Sequence, residues 1–582
     1  MDDSGSLPPP LDTPPMSRVP SYIQFAPRRA IASFENLVAL ANYEETLKEA
    51  RKIVWRNRGE KPVELDDLWE CFEHGGRGGL RAGTLAFAIR SGVNLILLMT
   101  RIKKVPKSYR FALIRQALFG EDSLRFAAML GLFVSIYKFV LNSLPILLPG
   151  TTPARSHSRS RSKFRATHTS GASALPSASD NPFHEDEEEE EDLEVARGRP
   201  LADRQARLSL STQNFQRKKT RRWYSIVAGA LAGGVAILCE KRGRRVGIAQ
   251  QMFVRGLQGS YNALSTKHGF KIPHGDVIVF SLCCGQILYG FLLRPDTLPR
   301  SYVSWIQEAG KIPKEIVSMN KDLIRDHTFK MSDLDALITR RDITPSNHAT
   351  LLARKAAALA PEPTFGPFFA PCEGMHPWES YCRNVPVERF WNVFKWMVPI
   401  YGALHLIPML LFKWKTVLQD PAKMFLRAGW GTARSSAFLG IFVIIYQSYF
   451  CFKNNVWLYL AALRSPAAHG ILARFAKGLP QAIPDAISSK SSYWLGGLLS
   501  GMSLFVEEAR RRPELAMYVL PKGMESAWVA ARGKRLVPRT GQYGEALLSA
   551  IGMGMVMGIY QNDPQHLSGL VRRIIYQFVG PN

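Results

Sequence analysis

Three residues in one short stretch, Cys372, His376 and Cys382, have the types to hold a metal ion. A structural zinc takes four thiolate or imidazole ligands at the corners of a tetrahedron, usually from more tightly spaced cysteines. The segment PCEGMHPWESYC offers three obvious ligands, so a glutamate would have to complete the set. Three readings stand open on the sequence: a metal site, a disulfide, and a packed turn with neither. No cofactor is expected.

A second group of chemistry-bearing residues lies in or beside apolar runs: Arg90, Arg125, Arg434, Glu240 and Glu507. A charge at the centre of a bilayer costs about 2.5–3.5 kcal/mol on insertion scales. Four of the five sit near the ends of their runs, where a long side chain can reach the interface. The functional alternative is a hydrated cavity or an interhelical ion pair, with Glu240 or Glu507 facing an arginine of its own half. No nucleophile–base pair, glycosidase-like carboxylate pair or nucleotide loop accompanies these charges, so the chain is not read as an enzyme.

The elements that must position these residues are apolar runs of about one bilayer thickness, ~17–25 residues. Eight are read, at about 82–100, 124–148, 223–239, 277–293, 394–412, 432–452, 493–506 and 545–560; the seventh and eighth are short. The four glycines Gly75, Gly76, Gly78 and Gly79 are read as a loop leading into the first span, and no GK[ST] follows them to make a phosphate loop.

The runs repeat. Laying Glu240 on Glu507 (507 − 240 = 267) places Gly229 on Gly496, Gly234 on Gly501, Arg244 on Arg511, Arg245 on Arg512 and Gly256 on Gly523 without a gap. Arg125 falls on Arg434 (434 − 125 = 309), and Gly131 on Gly440 at the same offset. Gly290 matches Gly558 near the end of the fourth and eighth runs. The expected fold is an all-α integral membrane protein of two parallel repeats, four spans each, with disordered linkers. An even number of spans per repeat puts both chain ends on one side. Small residues at helical spacing, Gly229 with Gly233, Gly497 with Gly501, and Gly554 with Gly558, are read as helix-packing faces.

Along the chain, residues 1–30 read as a disordered N-terminus and 31–74 as an amphipathic helical segment. Residues 75–150 carry spans one and two, and 151–220 form a disordered Ser/Arg-rich and acidic insertion. Residues 221–310 carry spans three and four, 311–370 a soluble linker, 371–390 the cysteine-containing segment, and 391–582 spans five to eight. The 582 residues carry a net charge of +27, which on a soluble domain would suggest nucleic acid. Here the basic residues sit mainly between apolar runs, where they meet lipid headgroups or set topology, so nucleic acid is not an expected partner. Membrane lipids are; protein partners through 151–220 and a second copy of the chain are further candidates. Seven irregularly spaced cysteines do not make a secreted disulfide framework. The polar, proline-rich start carries no charged region leading into an apolar core, so no cleavable leader is expected.

From Pro371 through the cysteine segment, YGALHLIPMLLFKW, RAGWGTARSSAFLGIFVIIYQSYFC and EEARRRPELAMYVLPKGMESAW, the chain resembles the transmembrane protein 135 family over about 370–565. More distantly, the glycine-rich helices with a basic loop are similar to the channel subunits of mitochondrial inner-membrane translocases. The resemblance implies a multi-pass protein of peroxisomes, mitochondria or both, acting in organelle dynamics and in lipid or metabolite handling. It supplies no catalytic residues. The long insertion and extended N-terminus depart from that family.

Overall fold

A computed structural model describes residues 65, 67–99, 106–148, 221–270, 272–361, 366–412 and 414–580. The segment 1–30, the insertion 151–220 and, of 31–74, residues 31–64 and 66 therefore lie outside the described residues. Every regular element among the described residues is a helix. The principal ones are α1 Leu68–Met99, α2 Lys107–Phe119, α3 Glu121–Leu147, α4 Arg222–Ala236, α5 Arg242–His268, α6 Gly275–Leu293, α7 Arg300–Gly310 and α8 Lys314–Asp326. They continue with α9 Met331–Ile338, α10 Pro345–Ala358, α11 Val385–Phe412, α12 Pro421–Arg464, α13 Lys490–Gly501, α14 Arg512–Gly533, α15 Gly544–Asn562 and α16 Gly569–Val579.

Among the described residues, five stretches are long and apolar enough to cross a membrane: Leu68–Met99, 108–147, Arg222–Cys239, Gly275–Leu293 and Pro421–Arg464. The runs read as spans five, seven and eight are helical as α11, α13 and α15, but do not meet that standard of length and hydropathy among the described residues. At 1.5 Å per residue, the 44 residues of α12 extend about 66 Å, twice a hydrocarbon core of roughly 30 Å.

The chain forms two compact units. The terminal unit combines α1–α5 with α15 and α16, and the central unit runs from α6 to α14. In the terminal unit α1 packs on α3, α3 on α4, and α15 on both α4 and α5. In the central unit α11 packs on α12, α12 on α13, and α6 on both α13 and α14. The two patterns are alike, and each unit draws its fourth helix from the other half of the chain. The sequence reading, which keeps spans one to four and five to eight together, is corrected on this point. An offset along the chain matches residues and does not reveal which helix packs on which.

The glycine faces explain the close approaches. A Cβ on Gly229 would meet the Met553 carbonyl at 2.7 Å, and one on Gly233 the Met553 side chain at 2.5 Å. Gly554 and Gly558 face Ile226 from the other side of the same contact. In the central unit Gly497 lies against Cys284 and Gly285, and Gly501 against the Ser281 backbone. The Gly75–Gly79 cluster is a correction. It is no loop but part of α1, where Gly75 and Gly79 meet the α3 backbone at Ser135 and Gly131. Glycine costs about 1 kcal/mol in a helix relative to alanine, a loss that close interhelical packing offsets.

The stretch read as a soluble linker is folded as α8–α10. On α8, Ile316, Val317, Asn320, Leu323 and Ile324 recur at helical spacing and are buried, while Lys314 stays in solvent. This apolar face joins Leu334, Leu337, Leu351 and Phe369 in one core with Phe291 of α6 and Phe450 of α12. Asn320 fastens the cap: its Oδ1 accepts from the Tyr493 hydroxyl at 3.1 Å and from the Ala370 N–H at 3.2 Å.

Candidate functional site

The charges singled out in the sequence gather at two places, one per unit, built on the same plan. α4 ends at Ala236, tightens into a 3-10 turn over Ile237–Cys239, and reaches Glu240 in an extended conformation before α5 begins. α13 ends at Gly501, tightens over Met502–Val506, and reaches Glu507 with nearly the same backbone angles. Breaking a helix leaves carbonyls without partners, and arginines supply them. Arg245 donates to the Glu240 and Leu238 carbonyls at 2.7 and 2.6 Å; Arg512 donates to those of Glu507 and Phe505, both at 2.9 Å. Arg125 reaches the Cys239 carbonyl at 3.4 Å, and Arg434 the Val506 carbonyl at 2.7 Å.

The glutamates serve the opposite helix end. Glu240 is 0% exposed and Glu507 2%. Each carboxylate accepts the next residue's N–H, from Lys241 at 2.9 Å and Glu508 at 3.1 Å. Each pairs with the arginine four residues on, Arg244 at 2.8 Å and Arg511 at 3.6 Å. A cation thus sits at the negative end of one helix and an anion before the positive start of the next. The ion pairs of both glutamates are thus local, four residues apart along the chain, rather than interhelical, and Arg434 donates to backbone carbonyls.

Around this shared frame the two turns differ. Asp122, at the start of α3, bridges Arg244 and Arg90, with Arg90 at 2.6 Å. Glu121 beside it takes Arg125 at 2.6 Å and Lys241 at 3.2 Å. The position that the 309 offset matches to Asp122 is Gly431 (122 + 309 = 431), which lies against the His405 ring. Arg511 there meets His405 Nε2 at 3.3 Å and Ser435 Oγ at 3.0 Å. Sequence reading missed Asp122, whose signal is the acidic first turn of α3.

The cysteine segment also resolves. Cys372, His376 and Cys382 converge with a fourth residue, Cys451 of α12, so that all four ligand atoms lie within 4.8 Å of one another. The three-ligand reading is corrected: no glutamate is needed. Cys451 was not legible as a ligand because it belongs to the sixth apolar run. His376 and Cys451 are buried, Cys372 and Cys382 partly so, and all seven cysteines are free thiols. Cys382 Sγ stands 3.4 Å from His376 Nε2. The other ring nitrogen, Nδ1, lies 2.8 Å from the Glu379 carbonyl. Hydrogen bonds from Cys372 and Cys451 hold the Cys382 thiol well below its ordinary range, which favours a thiolate.

Asn347 holds this turn in shape. It is 3% exposed, and its Nδ2 faces the carbonyls of His376, Pro377 and Glu379 at 3.3, 3.2 and 3.1 Å. From α12, Asn454 Nδ2 points to the Ala370 carbonyl at 3.1 Å and to Cys372 Sγ at 3.8 Å.

A chain whose described residues are all-helical in their regular elements, with five membrane-length apolar helices among them and ion-paired glutamates between helix ends, is an integral membrane protein of the all-α class. No protein-family model matches it, and neither does any curated protein or solved structure.

Proposed function

We propose that this chain is an eight-span protein of two four-helix repeats with the fourth helices exchanged, of the transmembrane protein 135 type, seated in a peroxisomal or mitochondrial membrane. Its activity on this reading is the handling of lipids or small metabolites, channel- or transporter-like, with a part in organelle dynamics. The single observation that carries the reading is the glutamate turn built twice. A buried carboxylate, an arginine at the fourth position and a carbonyl-clamping arginine at the fifth recur at equivalent places among apolar helices. Ionisable groups at membrane depth are rare and belong to pathways or to the joints that shape them. The motifs over 370–565 support the organelle and the substrate class by resemblance alone.

The test has two arms. The full chain, tagged and imaged with organelle markers, is expected on peroxisomes or mitochondria. Reconstituted in liposomes, it is expected to carry lipid or metabolite flux that Glu507→Gln lowers. Absence of flux, with loss of cellular function on deleting 151–220, would replace this reading by a scaffold that recruits organelle-dynamics partners through that insertion. Protease protection placing the two chain ends on opposite faces would remove the eight-span topology.

A further inference from the structure

We infer that Cys372, His376, Cys382 and Cys451 form a closed structural zinc centre, which clips the segment entering α11 to the side of α12. The inference does not depend on the functional reading above. Four ligands of the Cys3His class are present, and four protein ligands with no open position are the mark of a structural rather than a catalytic zinc. The size is right. With Zn–S near 2.3 Å and Zn–N near 2.0 Å, a tetrahedral centre has edges of roughly 3.5–3.8 Å. The Cys382–His376 edge is 3.4 Å, and no ligand pair exceeds 4.8 Å, so small side-chain movements complete the polyhedron.

The surroundings are also those of a metal centre. A carbonyl can only accept, so the Glu379 oxygen at 2.8 Å requires His376 to carry its proton on Nδ1. That leaves the Nε2 lone pair directed at the sulfurs, the tautomer a metal needs, fixed by an outer hydrogen bond. Asn347 immobilises the turn bearing His376, and Asn454 directs an N–H at the Cys372 sulfur. Zinc replaces three thiol protons, so the loaded centre carries a net charge of −1. Lys453, 4% exposed and two residues beyond Cys451, places its Nζ over the Tyr493 ring at 4.0 Å beside this cluster. A disulfide accounts for less: any pairing leaves a third thiol and an oriented imidazole without a task.

The experiment measures metal in the full-length chain purified in detergent. Elemental analysis is expected to find one zinc per chain, and Cys451→Ser to lose it while Cys239→Ser keeps it. Because Cys451→Ser could fail to fold, the wild-type protein is also stripped and titrated with Co2+ alone. Thiolate-to-cobalt charge-transfer bands with tetrahedral d–d absorption, saturating at one equivalent and displaced by Zn2+, are expected. The proposal is overturned if wild-type protein is metal-poor and gives no charge-transfer band. It is equally overturned if folded Cys451→Ser keeps its zinc, or if mass spectrometry finds a disulfide among the four cysteines.

Discussion

The turn at Glu240 and the turn at Glu507 share a frame and differ in what surrounds it. Both have a 3-10 break, a buried carboxylate, a clamping arginine five residues on and an arginine arriving from a neighbouring helix. These parts satisfy backbone groups that a broken helix would otherwise leave without partners among apolar helices. The differing parts lie one layer out. The first turn has Asp122, which gives Arg244 a second carboxylate; the second has Gly431 and His405, so Arg511 meets one distant carboxylate and two neutral groups. The comparison separates the parts common to both turns from those that differ, and the difference lies at the arginine's second partner.

The largest expected effect follows from that asymmetry. Glu507→Gln leaves the Arg511 guanidinium with Ser435 and His405 alone, and stranding one member of a buried pair costs about 3–5 kcal/mol. Glu240→Gln leaves Arg244 still paired with Asp122, so its loss should be less than half as large. The measurement is the SDS-unfolding midpoint of each variant in detergent. Adding Asp122→Asn to Glu240→Gln should bring the first turn down to the level of the second, more than additively, because the two carboxylates share one arginine. Equal losses for the two single variants would break the comparison.

The packing of the fourth helices gives the next effect. Gly234 and Gly501 are equivalent by the 267 offset, yet their neighbours differ. A Cβ at Gly501 falls 2.3 Å from the Ser281 Cα, backbone that cannot step aside, whereas one at Gly234 falls 3.2 Å from the Ala550 methyl. Gly501→Ala should therefore cost about 1–3 kcal/mol through overpacking. Gly234→Ala should be near neutral, since the gain in helix propensity, up to about 1 kcal/mol, offsets the tighter contact. Paired thermal melts in detergent decide it, and a Gly501→Ala protein as stable as the parent would mean that α6 and α13 do not meet as described.

How far these features could be read from the residues depends on whether the signal is local. The 3-10 breaks lie where EKRGRR and EEARRR interrupt apolar runs, and the charge pattern announces them. The partner of Gly233 is not local. Offsets match Gly229 to Gly496 but are silent on which fourth helix each will meet, and the structure pairs α4 with α15 and α13 with α6. Cys451 is hidden for the same reason: a lone cysteine in an apolar run looks like packing until folding brings it beside Cys372. The Gly75–Gly79 cluster misled in the other direction. Four glycines in five positions resemble a helix breaker, while the spacing of Gly75, Gly79 and Gly83 traces one helix face against α3.

The smallest effect tests the sameness of the two turns rather than their difference. Arg245 and Arg512 each bridge two carbonyls with Nε and one terminal nitrogen, and the four distances run only from 2.6 to 2.9 Å. A planar guanidinium can hold both oxygens at once; an ammonium at the same place holds one well and the other poorly. Arg245→Lys and Arg512→Lys should therefore each forfeit about one net hydrogen bond, roughly 1 kcal/mol. The clamp contacts neither Asp122 nor His405, so the two losses should agree within a few tenths of a kcal/mol, the spread expected of independent sites. If Arg245→Lys instead proved much the costlier, the acidic layer around Glu121 and Asp122 would be acting on the clamp as well, and the division between a common frame and a variable surround would have to be redrawn at that arginine.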